Sequence, residues 1–149
     1  MKTYTLKDID DLNPCSNPRD FVAEDWSGTL LDILNVEKAK PADRIWVATK
    51  LLDDKTNRLF AVWCARVALK LVKNPDPRSI NACDVAERFA NGRSTKEELA
   101  ASASASASAS ASASAAADAA ADAAAAAADA AAREKQIEKL REVVNDVAR

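Results

Sequence analysis

Along the first 99 residues, apolar positions recur at helical spacing between strong start and stop signals. Asn17-Pro18 reads as an N-cap followed by proline at the first helical position, leading into a short helix over Asp20–Trp26 that Gly28 ends. Thr29 caps Leu30-Leu31-Asp32-Ile33-Leu34, with Asp32 placed to favour the amide end. Pro41 opens a segment from Ala42 to Leu52 whose Ile45, Trp46, Thr49 and Leu52 share a face. Asp53-Asp54 precede a central helix, Lys55 to Lys73, that Asn74-Pro75 stops. Its apolar set runs from Leu59 and Phe60 to Leu71 and Val72 and wraps beyond one stripe, as on a helix contacted from several sides. Asp76-Pro77 starts the next helix, and Gly92 ends it at the C′ position. Ser94-Thr95-Lys96-Glu97 forms a capping box that launches the last helix. No segment sustains period-2 alternation of large apolar residues, so the expected fold class is all-α, a compact multi-helix body without a sheet.

Beyond the body the pattern changes. From Ala100 to Ala132 the chain is 23 Ala, 7 Ser and 3 Asp. Ala101 to Ala115 alternates strictly, which is formally a β signature. The capping box upstream, the helix propensity of alanine and the charged heptads downstream favour helix instead. The expected organisation is a helical body at 1–99 and an arm at 100–149, either a long Ala/Ser-rich helix or a helical hairpin. A single helix from Thr95 to Arg149 would span about 80 Å, beyond a body diameter of about 30–35 Å. Such an arm must project, bend back or pack on a copy of itself.

At the end of the arm Ile137, Leu140, Val144 and Val147 keep an a/d rhythm, and the register extends back through Ala130, Ala126, Ala123, Ala119 and Ala116. This seam either folds back on its own chain or pairs with a partner, a homo-oligomer being the preferred reading of the two. Asp118, Asp122 and Asp129 flank it and read as solvated acids that keep an alanine helix soluble.

Composition narrows the chemistry. Alanine supplies 34 of the 149 residues, leaving 38 large apolar side chains, a modest supply for a core, and one domain of about 100 residues is expected. Without histidine there is no Ser-His-Asp or Cys-His nucleophilic site, and the two glycines, Gly28 and Gly92, can write neither GxGxxG nor a P-loop. Residues 1–99 carry 16 Lys+Arg against 16 Asp+Glu and the remainder 5 against 7, so no nucleic-acid partner is expected. Cys15, Cys64 and Cys83 lack metal-ligand spacing and read as reduced thiols of a cytoplasmic protein. The N-terminus lacks an apolar signal core and the Ala/Ser tract is too polar to span a membrane. Arg66 and Lys70, four apart, mark an anion-facing edge, although a solvated edge paired with nearby acids is the stronger reading. Asp10-Asp11 and Asp53-Asp54 are candidates for carboxylate-only catalysis, yet acids before a helix are ordinarily caps. Trp26, Trp46 and Trp63 read as core anchors rather than a ligand cage. No catalytic residue, cofactor or metal is expected. The chain reads as a non-enzymatic protein that acts by protein–protein binding or self-assembly.

Three stretches carry a family likeness: Arg58–Arg66 (RLFAVWCAR), Asp84–Gly92 (DVAERFANG) and Thr95–Ala100 (TKEELA) before an alanine-rich run. With Asn13-Pro14-Cys15 and the later Gly28-Thr29-Leu30, they resemble a loose group of uncharacterised bacterial and phage proteins, some labelled as immunity proteins, in which a similar body precedes Ala-rich repeats. The likeness spans most of residues 13–132 and implies an all-α architecture. It also implies, as an alternative function, the neutralisation of a toxin or nuclease. It brings no catalytic residues. Here the tract is Ala/Ser, where members of the group mix alanine with Trp or Arg.

Overall fold

The computed structural model of the protein describes the backbone of residues 2–117 and 124–147, and the surroundings of the side chains within 2–107 and 131–146. The described residues are mainly helical, as expected. The elements are β1 (Thr3–Thr5), α1 (Leu6–Asp10), a 3-10 turn (Pro18–Asp20), β2 (Ser27–Thr29), α2 (Leu30–Leu34), α3 (Pro41–Leu51), α4 (Asp54–Leu69), α5 (Pro77–Ala90), α6 (Lys96–Ala117) and α7 (Ala124–Val147). They form two compact units, Met1–Leu52 with Ala126–Arg149, and Asp53–Ala125. The boundary drawn at residue 99 follows composition, whereas contacts group the chain differently. The alanine-rich stretch is shared between the two units.

The first unit contains the small sheet that the sequence pattern did not disclose. β1 and β2 pair antiparallel, Thr3 with Thr29, Tyr4 with Gly28 and Thr5 with Ser27. Three-residue strands with Tyr4 as their single large apolar side chain are too short to show a period of two. Each strand runs into a helix through the same five-residue pattern, Thr5-Leu6-Lys7-Asp8-Ile9 and Thr29-Leu30-Leu31-Asp32-Ile33. In both, the threonine hydroxyl accepts from the aspartate N–H while the aspartate accepts from the threonine N–H, a reciprocal capping box. The register makes this an approximate two-fold repeat about the Tyr4·Gly28 pair. The repeat is broken at its centre. A Cβ on Gly28 would lie 2.7 Å from Trp26 Cζ2 and 2.8 Å from Asp32 Cβ, so only glycine lets Trp26 cross the ribbon there.

Tyr4, Ile9, Ile33 and Val47 form the buried centre of this unit, with Leu12, Trp26, Leu30, Trp46 and Leu51 packed against it. The Tyr4 hydroxyl donates to the Leu51 carbonyl at 3.3 Å and so ties β1 to the end of α3. The helix expected over Asp20–Trp26 is only the 3-10 turn, capped as foreseen by Asn17, whose side chain accepts from the Arg19 N–H.

In the second unit α4 packs on α5 and α5 on α6. Asp53 caps α4 by accepting from both the N–H and the hydroxyl of Thr56, and Asp76 caps α5. Gly92, at φ +68°, closes α5 with the expected left-handed residue, letting Arg93 N–H reach the Arg88 carbonyl at 2.7 Å. Phe60, Val62, Cys83 and Val85 are buried. α4 ends at Leu69, four residues before the expected stop, and Leu71 and Val72 are 85% and 52% exposed rather than part of a many-sided core helix.

The launching box of α6 is one residue later than read. Thr95 and Glu98, rather than Ser94 and Glu97, exchange side-chain and backbone bonds, and Ser94 adds its hydroxyl to Glu98. The Ala/Ser run is helical where it is described. Ser102 is buried and returns its hydroxyl to the Leu99 carbonyl at 2.9 Å, and Ser106 meets Ser79 of α5 at 3.3 Å. Small side chains let the two backbones approach, and serine hydroxyls satisfy themselves locally. Among the described residues no helix is long and apolar enough to cross a membrane.

Candidate functional site

Three heptad residues of α7 have been drawn inside. Ile137 and Leu140 are fully buried and Val144 nearly so. Polar contacts of the same helix reach the first unit. Arg141 Nη2 donates to the Leu34 carbonyl at 3.1 Å, and Glu134 accepts from Arg44 Nη2 at 3.4 Å. These three side chains are buried within their own chain, one of the two places the sequence left open for them. The reason is spacing: a 3-4 apolar rhythm serves any apolar face and does not name its owner. The side chains of Val147, Asp129, Ala116, Ala126 and Ala130, and all of Asp118, Ala119, Asp122 and Ala123, lie outside the described residues.

The Arg66–Lys70 edge is present but is not an open anion site at Arg66. Arg66 Nη2 lies 2.8 Å from Asp84 and 2.6 Å from Glu87, both on α5, while Lys70 is the exposed C-cap of α4. Each of three acids named as catalytic candidates is engaged. Asp10 pairs with Arg19 at 2.9 Å, Asp11 with Lys7 at 2.7 Å, and Asp53 caps α4. The hydroxyl and then the amide of Thr56 hold the Asp53 carboxyl below its ordinary range. Burial pushes the Cys83 thiol up, away from the reactive thiolate. Among the described residues no group of three Cys, Asp or Glu side chains is placed to hold a metal.

What the residues do build is an apolar pocket in the first unit, of about 240 Å³. Three segments make its wall. The loop after α1 brings Pro14 and Cys15, the 3-10 turn brings Pro18 and leads into Phe21, Val22 and Trp26, and Val36 beyond α2 joins Ala42, Trp46 and Val47 of α3. Trp26 enters because Gly28 leaves room for it. Trp46 is half-buried, with the Lys50 ammonium over its ring at 5.8 Å. Two tryptophans read as core anchors therefore pack on the core and also line a space.

The polar part of the wall is small. Asp43 accepts from the Ser16 hydroxyl at 3.3 Å. Arg44, only 8% exposed, donates Nη1 to the Leu34 carbonyl at 3.0 Å and Nη2 to Glu134. Its Nε is buried with no hydrogen-bond partner. Sequence reading missed Arg44 entirely. The face of α3 read as apolar was Ile45, Trp46, Thr49 and Leu52, whereas the buried set is Arg44, Val47 and Ala48. One signal was available: Arg44, Val47, Ala48 and Leu51 keep an i, i+3, i+4, i+7 spacing, with arginine standing where an apolar residue would be read. Comparison with protein-family models, with curated proteins and with solved structures finds no match for this chain.

Proposed function

We propose that this protein acts by binding, not by catalysis, and that its recognition element is the tryptophan-walled pocket of the first unit. The observation that carries this reading is the pocket itself: about 240 Å³ of space bounded almost wholly by apolar side chains, including Trp26, Trp46 and Phe21. A pocket of that kind favours an apolar guest. The engagement of Asp10, Asp11 and Asp53 in ion pairs and a cap supports the same reading, because carboxylates so committed are poor general acids or bases.

Fluorine NMR of 1-fluoronaphthalene titrated with the full chain tests it. Saturable line broadening is expected with the native protein and its loss with Ala42→Phe, which fills the pocket from its wall while circular dichroism confirms the fold. No saturable broadening at millimolar protein, or equal broadening with a folded Ala42→Phe, would refute the assignment.

A further inference from the structure

The pocket has one feature that a purely apolar space does not need. Arg44 stands in its wall, more than nine-tenths buried, and the guanidinium is only partly used. Nη1 and Nη2 have the Leu34 carbonyl and Glu134, but the Nε–H has nothing. A buried donor without an acceptor is uncommon in folded proteins, and that of Arg44 belongs to a residue of the pocket wall, where a guest could supply the acceptor. The charge of that acceptor follows from the surroundings. Glu134 and the carbonyl end of α2 already face the Arg44 cation. Asp43, an acid in the same wall, would repel a carboxylate, while Arg44 would repel an ammonium. The formal charges of the lining cancel, so the fitting guest is neutral. For size, a dry cavity of about 150 Å³ holds benzene, and 240 Å³ scales to about ten non-hydrogen atoms.

We infer that the pocket binds a small uncharged molecule, with an aromatic or branched aliphatic body and one carbonyl oxygen, a ketone, ester or lactone, that accepts from Arg44 Nε–H. This rests on the pocket being a binding site and adds the chemical class of its ligand.

The test uses the full chain, labelled with ¹⁵N-arginine, and three matched probes: 1-indanone, its hydrocarbon indane, and 1-indanecarboxylate. Quenching of tryptophan fluorescence reads affinity, and the arginine Nε–H resonances read the contact. Arg141 is the internal control: it too has an orphaned Nε but is absent from the pocket wall. Indanone should half-saturate at about 10-fold lower concentration than indane, should outbind the carboxylate, and should shift the Arg44 Nε–H signal while leaving that of Arg141 in place. Arg44→Lys, which keeps a charge but has no Nε–H, should bind indanone and indane alike. Should that variant fail to fold, the matched probes on the native chain still decide. Equal binding of indanone and indane with the Arg44 signal unmoved overturns the ligand class and leaves the pocket as an apolar site. Tightest binding of the carboxylate overturns the charge argument. Binding by none of the probes removes the pocket reading as well.

Discussion

Gly28 shows how much one missing methyl group decides. At the equivalent point of the two-fold repeat stands Tyr4, whose ring fills the core. At Gly28 the space above the ribbon goes to Trp26 and Asp32, and through Trp26 it shapes the pocket. Gly28→Ala is expected to destabilise the chain by about 1–3 kcal/mol, the usual cost of forcing a group into filled space. It should also displace Trp26. Urea unfolding followed by tryptophan emission checks both effects, and a change below 0.5 kcal/mol, on the order of an inert surface substitution, would refute the clash. Sequence reading saw Gly28 as a helix stop. Its real role depends on an aromatic ring two residues away crossing over it, which chain order alone does not specify. Arg44 is the same lesson with the opposite sign. A charged residue on a helix is read into solvent by default, and only the convergence of the α2 carbonyl end and Glu134 of α7 makes its burial tolerable.

The helices were legible mainly at their ends. Asn17, Thr29, Asp53, Asp76 and Gly92 all sit where their types predict, because a cap is satisfied within three or four residues and needs no distant partner. Helix lengths were less legible. α4 stops at Leu69, and Leu71 and Val72 beyond it stay largely exposed.

The caps also set a pH dependence. Hydrogen bonds from the Thr5 hydroxyl and amide depress the Asp8 carboxyl, and those from the Thr29 amide and hydroxyl depress Asp32. The Thr56 hydroxyl and amide do the same at Asp53, and the Arg78 side chain and amide take Asp76 down to about 2. Each group binds its proton less readily folded than at the roughly 3.9 of an unfolded aspartate. The unfolded chain therefore takes up more protons as pH falls. The stabilisation is complete above about pH 4 and drains away as pH drops through the depressed values toward 2. The urea midpoint should be flat between pH 5 and 7 and fall steadily below 4. Replacing Asp8, Asp32, Asp53 and Asp76 together by Asn should flatten that fall, and an unchanged acid limb in the fourfold variant would count against the caps as its source.

At the scale of the whole molecule, the C-terminal segment is not an appendage. α7 supplies Ile137, Leu140 and Val144 as buried side chains and brings Glu134 and Arg141 to Arg44 and Leu34 of the first unit. A chain ending at Ala132 should therefore lose structure in the pocket rather than shed a free arm. Near-ultraviolet circular dichroism and the emission of Trp26 and Trp46 would change together. Leu140→Ala in the full chain should cost about 2–5 kcal/mol. A truncated chain with native tertiary signals would show that α7 is dispensable to its unit.

Amino-acid order by itself determined the mainly helical class, the position of most caps and the alanine-rich character of residues 100–132. These are properties of propensity and of hydrogen bonds closed over four residues or fewer, so neighbouring letters suffice. Tertiary structure alone decided that Leu71 is exposed and Arg44 buried, that Ile137, Leu140 and Val144 of α7 turn inward, and that Trp26 and Trp46 line a space. Burial is a relation between segments distant in the chain, as 34 is from 141. An apolar spacing states that a face will be covered, and the fold supplies what covers it.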